Sequence, residues 1–280
     1  MILKDKTVVI TGGSEGVGAA AARLFAAAGA NLMLVARNKK NLEAIADELR
    51  DKTRVEIFAM DVTDANACVD LFKKTAFELG QIDVLVNNAG YHARGDVENV
   101  AAAELARIVD VNLRAPIMLS RLVIPYFREH GSGAIINVGS MAGRTPVPGS
   151  TTYAASKAGL RSFSLALADE LRGTGIKIGL VSPGPIDTGF ILADIDETAD
   201  ITLSQPMSTA EDVAQTILDL CGNKLKEVAM PRLTGILTTV SYLFPWVARQ
   251  MRPLLEKKGR RFKEKFKAEQ KRRESGSPDR

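Results

Sequence analysis

The sequence predicts an α/β fold, a doubly wound, mainly parallel sheet with helices on both faces. Three observations carry this. Short apolar runs at 7–10, 31–35, 55–60, 84–87, 134–138 and 177–181 read as strands, and a last one lies at 227–230. Between them, stretches at 17–28, 40–50, 65–79, 101–127, 153–172 and about 209–220 carry apolar residues at the helical period. A Gly-rich turn, Thr11-Gly12-Gly13-Ser14-Glu15-Gly16-Val17-Gly18, joins the first strand to the first helix. Strands that alternate with helices pair in parallel, because each helix returns the chain to the same end of the sheet.

Punctuation along the chain supports the elements. Gly29 marks a helix stop. The Asp64 carboxylate is placed to open the third helix by accepting from free backbone N–H groups. Pro183-Gly184-Pro185 cannot continue a ladder or begin a regular helix, so the chain turns there. The apolar, irregular stretch 186–206, with Thr188, Phe190, Ile191 and Leu192, then sits where a substrate lid would. A main domain over 1–231 and an extension over 232–280 follow from this pattern.

Composition narrows the chemistry. With 280 residues, 46% of them hydrophobic, the chain can bury one large core. Cys68 and Cys221 are too few for a disulfide framework and sit at helix positions. Only His92 and His130 are present, with no metal-ligand spacing, so a metal mechanism is not expected. The N-terminus enters a strand without a signal peptide, and a cytoplasmic location is the expectation. Charge is uneven: 13 of the 37 basic and 5 of the 33 acidic residues follow position 248, so the tail carries net +8 and the rest −4.

The Gly-rich turn points to a dinucleotide. Gly12 allows a sharp turn, Gly16 leaves room for a pyrophosphate, and Gly18 lets the helix pack close to the sheet. The N-terminal N–H groups at Val17 then face the phosphates. The second strand ends Ala36-Arg37 where an NAD enzyme needs an acid for the ribose hydroxyl. Arg37 can instead fork onto a 2′-phosphate, with help from Ser14 and Asn38, so NADP(H) is preferred and NAD(H) is the alternative. Asp61, after the third strand, suits an adenine amino group or a turn cap.

Tyr153 and Lys157 stand four positions apart, on one face of a helix. Ser140 lies thirteen residues upstream, just past an apolar strand. Together with the Gly-rich turn, this order and spacing resembles the short-chain dehydrogenase/reductase family in its single-domain branch. The resemblance runs from about residue 5 to 230. It rests on Thr11-Gly12-x-x-x-Gly16-x-Gly18, Asp61-Val62, Asn87-Asn88-Ala89-Gly90, Asn112, Ser140, Tyr153-x-x-x-Lys157 and Pro183-Gly184 with Thr188.

The resemblance implies a seven-stranded Rossmann sheet and a set of roles. Asn88, Ala89 and Gly90 would line the adenosine side. Pro183, Gly184, Ile186 and Thr188 would hold the nicotinamide end. One departure is Glu15, where NADP-preferring relatives often carry a basic residue. The implied reaction is hydride transfer to a carbonyl, with Tyr153 as proton donor, Ser140 orienting the carbonyl oxygen and Asn112 anchoring a water that relays protons to Lys157. In the oxidative direction the phenol, with a free pKa of about 10, would need a drop of about three units, roughly 4 kcal/mol, from Lys157 and the oxidised ring.

Two other functions stay open: an NAD-linked alcohol or steroid dehydrogenase, and a catalytically quiet dinucleotide sensor or membrane scaffold. The tail sharpens the substrate expectation. Residues 233–247 are apolar with Tyr242 and Trp246, too short for a span of about 20 residues. The basic stretch 251–273 carries Phe262 and Phe266 at helical spacing, and disorder is expected from Ser275. This composition suits peripheral docking on an anionic membrane, and hence a lipophilic ketone such as a long-chain 3-oxoacyl, sphingoid or steroid-like substrate. Packing on the body is the alternative, and nucleic acid is not expected. The resemblance also implies a homodimer or homotetramer through the helices at 101–127 and 153–172.

Overall fold

The computed structural model describes residues 2–187, 198–222 and 226–274. Seven strands form one sheet: β1 Thr7–Thr11, β2 Asn31–Ala36, β3 Val55–Ala59, β4 Val84–Asn87, β5 Gly133–Val138, β6 Ile176–Pro183 and β7 Glu227–Met230. Their order is β3-β2-β1-β4-β5-β6-β7, and every pair is parallel. β1, β4 and β5 are buried along their whole length, as strands covered on both faces must be.

The period-two alternation of each strand feeds two cores. Val8 and Ile10 of β1, with Leu32 and Leu34 of β2, face α1 (Gly16–Ala27) and α2 (Lys39–Leu49), around Phe25. Val9, Met33 and Val35 face the other way, towards α3 (Ala65–Leu79), and join Phe72 and Phe127. Each of these rings is essentially fully buried, a gain of about 1.5–3 kcal/mol apiece relative to exposure. Asp64 caps α3, accepting from Asn66 N at 2.9 Å and Ala67 N at 3.1 Å.

The helix expected over 101–127 is not continuous. α4 (Ala102–Val109) passes into a π turn, Asp110–Arg114, before α5 (Ala115–Glu129). The extra residue per turn shifts the buried face while leaving the apolar pattern nearly unbroken, so periodicity alone missed it. After β5 comes a 3₁₀ turn, Met141–Arg144, then α6 (Thr151–Glu170). β6 runs to Pro183, and Gly184 N still donates to Met230 O at 2.7 Å, so pairing outlasts the first proline.

The stretch expected to form a lid lies partly outside the described residues; Thr188, Phe190, Ile191 and Leu192 fall there. Its described end holds a short helix, α7 (Asp200–Leu203). α8 (Ala210–Gly222) is opened by a reciprocal cap between Thr209 and Asp212. The extension forms two helices, α9 (Arg232–Leu243) and α10 (Pro245–Glu274), with Pro245 at the start of the second. Ser275 and the residues after it lie outside the described part. No described helix is long and apolar enough to cross a membrane.

Candidate active site

Strand order reverses between β1 and β4, and a crevice opens at their carboxyl ends. Thr11, the last residue of β1, ties the two sides together. Its hydroxyl donates to Val86 O at 3.3 Å and accepts from Asn88 N at 3.0 Å and Ala89 N at 3.1 Å. The Asn88 amide donates to Thr11 O at 3.0 Å and Gly12 O at 3.2 Å. In the sequence Thr11 stands out only as part of the turn, yet in the fold it fixes the geometry of the crevice.

The glycines divide their work. Gly12 has φ +66°, where an L side chain is strained. A Cβ on Gly18 would lie 1.9 Å from Gly12 O, so only glycine lets α1 start this close to the turn. Gly18 therefore serves packing and does not face the crevice. Glu15, at the N-cap of α1, makes no side-chain cap bond, which leaves the first N–H groups of the helix to an anion. This uncapped helix start and the crowded glycine turn fit a dinucleotide pyrophosphate.

The crevice is a cavity of about 1150 Å³. Gly12, Ser14, Gly16 and Val17 line its floor; Arg37, Asn38, Asp61 and Val62 line one end, with Asn88, Ala89 and Gly90 beside them. Ser140, Tyr153, Lys157, Pro183, Gly184 and Ile186 line the other end. Thr188 lies outside the described residues.

At the first end Asn38 caps α2, accepting from Asn41 N at 3.2 Å. Asp61 Oδ1 accepts from Thr63 N at 2.9 Å and Thr63 Oγ1 at 2.8 Å, and Oδ2 faces Arg107 at 3.4 Å. Burial alone would raise the Asp61 carboxyl. The two Thr63 bonds and the Arg107 and Arg37 cations outweigh it and hold the pKa below the usual value. Arg107, on α4, lies over the Tyr91 ring at 5.4 Å and lines the same end. Local sequence carried no sign of it, because the contact joins positions 46 apart.

At the second end, the 3₁₀ turn is pressed against α6. A Cβ on Gly143 would meet the Lys157 backbone at 2.7 Å, so glycine is required for Ser140 to come this near Tyr153. Ser140 Oγ caps the turn, accepting from Ala142 N at 3.1 Å, and also bears on the Tyr153 phenol as a hydrogen-bond partner. The Tyr153 ring stacks on His92 with centroids 4.3 Å apart. His92 and Arg94 line this end as well; neither was singled out from the sequence, since both sit on an irregular segment after β4.

Burial raises the Tyr153 pKa above 10, with Ser140 and the Arg94 cation pulling the other way. The groups that act on the phenol here are burial, Ser140 and Arg94. Lys157 is 5% exposed, and burial lowers its pKa to about 8. Its ammonium donates to Val138 O at 2.8 Å.

Asn112 is fully buried in the π turn and does not line the crevice. Its amide accepts from Tyr91 N at 2.8 Å and donates to Tyr91 O at 2.7 Å and Ser156 Oγ at 3.3 Å. The side chain is thereby committed to joining the end of β4 to α6. Cys68 and Cys221 are buried, which pushes their thiols up to about 11 and about 12, in keeping with packed rather than reactive cysteines.

The chain is similar to known proteins. The family model for short chain dehydrogenase matches residues 6–198. The chain is 37% identical over 216 residues to sulfoacetaldehyde reductase 2 of Chromohalobacter salexigens, covering 75% of this chain and 86% of that one. It is 34% identical over 255 residues to ketoacyl reductase HetN of Nostoc, covering 87% and 86%. A metagenomic short-chain oxidoreductase solved in complex with NADP superposes with a TM-score of 0.70 at 30% identity, over 82% of this chain and 98% of that one. The chain belongs to the short-chain dehydrogenase family and is an NAD(P)-dependent oxidoreductase.

Proposed function

We propose that the chain reduces a lipophilic ketone to a secondary alcohol, with NADPH as the preferred cofactor. The observation that carries this reading is the placement of the Tyr153 phenol in the crevice beside the Ser140 hydroxyl and near Lys157. The same phenol would take up the proton in the NAD-linked oxidative alternative, so cofactor titration and reaction direction separate the two.

Bound NADPH supplies the hydride that the carbonyl carbon receives. Tyr153 gives its phenolic proton to the carbonyl oxygen as charge grows there, and the Ser140 hydroxyl donates to the same oxygen and orients it. Lys157, charged below a pKa of about 8, favours return of the proton and holds the ribose end. Asn112 is a positioning residue: it fixes Tyr91 and α6 relative to one another. Arg37 faces the 2′-phosphate, with Ser14 and Asn38 near it; Asp61 and Arg107 shape the adenine side. Thr188 is proposed on resemblance alone.

Met141, Val147 and Ile186 give the substrate end an apolar portion, which supports a long-chain, sphingoid or steroid-like ketone. Arg94 favours a second reading, a carbonyl compound with a nearby anionic group, because its cation lines this end beside Tyr153. Peripheral attachment to the cytoplasmic membrane face through 233–273 belongs to the first reading. Self-association through α4 to α6 is proposed too; Val109 and Ile117 are exposed there. A screen of NADPH consumption over ketones of rising chain length, with acidic ketones as a second series, tests both readings. A rate that climbs with chain length supports the first, and one confined to acidic ketones replaces it.

A further inference from the structure

α9 is amphipathic in the wrong sense for a helix on a water-facing surface. Towards the body it presents Gly235 and Thr238, and a Cβ on Gly235 would lie 2.4 Å from the Ala229 Cβ. Outward, at helical spacing, it presents Leu233, Ile236, Leu237, Val240 and Leu243, of which Leu233 is 69% and Leu243 65% exposed. Past the Pro245 junction, Trp246 and Leu254 are exposed as well. An exposed apolar helix face of this kind marks a contact surface.

We propose that this face docks on an anionic phospholipid bilayer and holds the substrate end of the crevice against it. The proposal deepens the lipophilic-ketone reading and names its surface. Charge selects the occupant: residues after 248 carry net +8 while the rest carries −4, so the basic charge is concentrated in the segment that directly follows α9 in the chain. A second copy of this chain would bring the same positive charge to the contact. Tyr242 and Trp246 add rings with a polar edge, which favour the headgroup boundary.

The face is fastened to the site at two points. Arg144 ends the turn that Ser140 opens; it donates to Gly235 O at 3.3 Å and Thr239 Oγ1 at 2.8 Å, and pairs with Glu227. On α10, a Cβ at Gly259 would lie 1.6 Å from Asp200 O, and Lys263 Nζ donates to Thr198 O at 2.8 Å. Thr198, Ala199 and Thr202 line the crevice, so α10 braces one of its walls. A second cavity of about 350 Å³ is walled by Pro146, Pro148, Ala158 and Tyr242. It shares the lining residues Ala142, Thr145 and Val147 with the crevice, so Tyr242 of α9 stands one residue layer from the crevice wall.

The test is flotation of the full chain with vesicles of phosphatidylcholine alone or mixed with phosphatidylserine, together with light scattering. The wild type is expected to float with the anionic vesicles and to be released as salt rises. The double variant Leu237→Asp, Trp246→Asp is expected to bind at least about tenfold more weakly, with a circular dichroism spectrum and NADPH affinity like the wild type. Binding is read without turnover, so a wrong substrate reading leaves this outcome untouched. Unchanged vesicle binding by the variant overturns the proposal. So does a smaller particle size for the variant with no wild-type flotation, which would make the face an interface between copies.

Discussion

Lys157 sends its ammonium to the Val138 carbonyl oxygen at 2.8 Å, while its nitrogen lies 5.8 Å from the Tyr153 ring centroid. The cation is thus held from the sheet side, off the end of β5. Burial without a carboxylate partner depresses its pKa to about 8, and the same burial raises that of Tyr153. Both shifts favour the neutral form, so the pair rests as a proton-donating phenol beside an amine that titrates near neutrality.

The depressed lysine has a consequence for stability. An unfolded lysine titrates near 10.5 and the folded one at about 8. Between these values the unfolded chain binds more protons, so this group makes the fold more stable as pH rises, by about 3 kcal/mol over the window. Below the folded pKa the burial cost is constant. Urea unfolding of the wild type and Lys157→Met across the window should show the gap moving in favour of the wild type with pH. A parallel pair of curves would contradict the burial of a charged amine.

Arg37 should decide cofactor choice. Arg37→Ala is expected to weaken NADPH binding by about 10- to 100-fold, the loss of one charge-assisted bidentate contact of roughly 1.5–3 kcal/mol. NADH binding should change by no more than about twofold, since NADH has no phosphate there. Fluorescence titration of both cofactors reads the difference; equal losses would remove Arg37 from the 2′-phosphate site.

Gly18→Ala should damage the fold and the cofactor site together. The added methyl would press on Gly12 O at 1.9 Å and Asn88 Nδ2 at 2.7 Å. Relief requires α1 to shift, at about 1–3 kcal/mol, and Tm should fall by roughly 2–10 °C. NADPH affinity should drop with it, because the start of α1 moves. A variant with unchanged Tm and affinity would mean that the turn is looser than its geometry.

Most of the frame was legible because it rests on local signals. Val8 to Ile10, Leu32 to Val35 and Leu85 to Val86 are apolar runs that only a two-faced sheet can bury. The spacing of Gly12, Gly16 and Gly18 sets a turn by itself, and the Asp64 cap is read from adjacent residues. What escaped depends on distant contacts. The π turn at Asp110–Arg114 leaves the apolar pattern of its helix nearly intact. Arg107, His92 and Arg94 reach the crevice from segments without a motif. The Tyr153 shift follows from how much water the fold removes, which no spacing encodes. The outward apolar face of α9 is legible as composition, but which side faces the body is set by the fit of Gly235 on Ala229.

The most direct measurement is turnover of Tyr153→Phe with NADPH and the best ketone from the screen, alongside NADPH binding. The phenylalanine keeps the ring on His92 and removes only the proton donor. Binding within about twofold of wild type and a kcat lower by at least about a hundredfold is the predicted result. Turnover close to wild type would show that the proton reaches the carbonyl oxygen from another group.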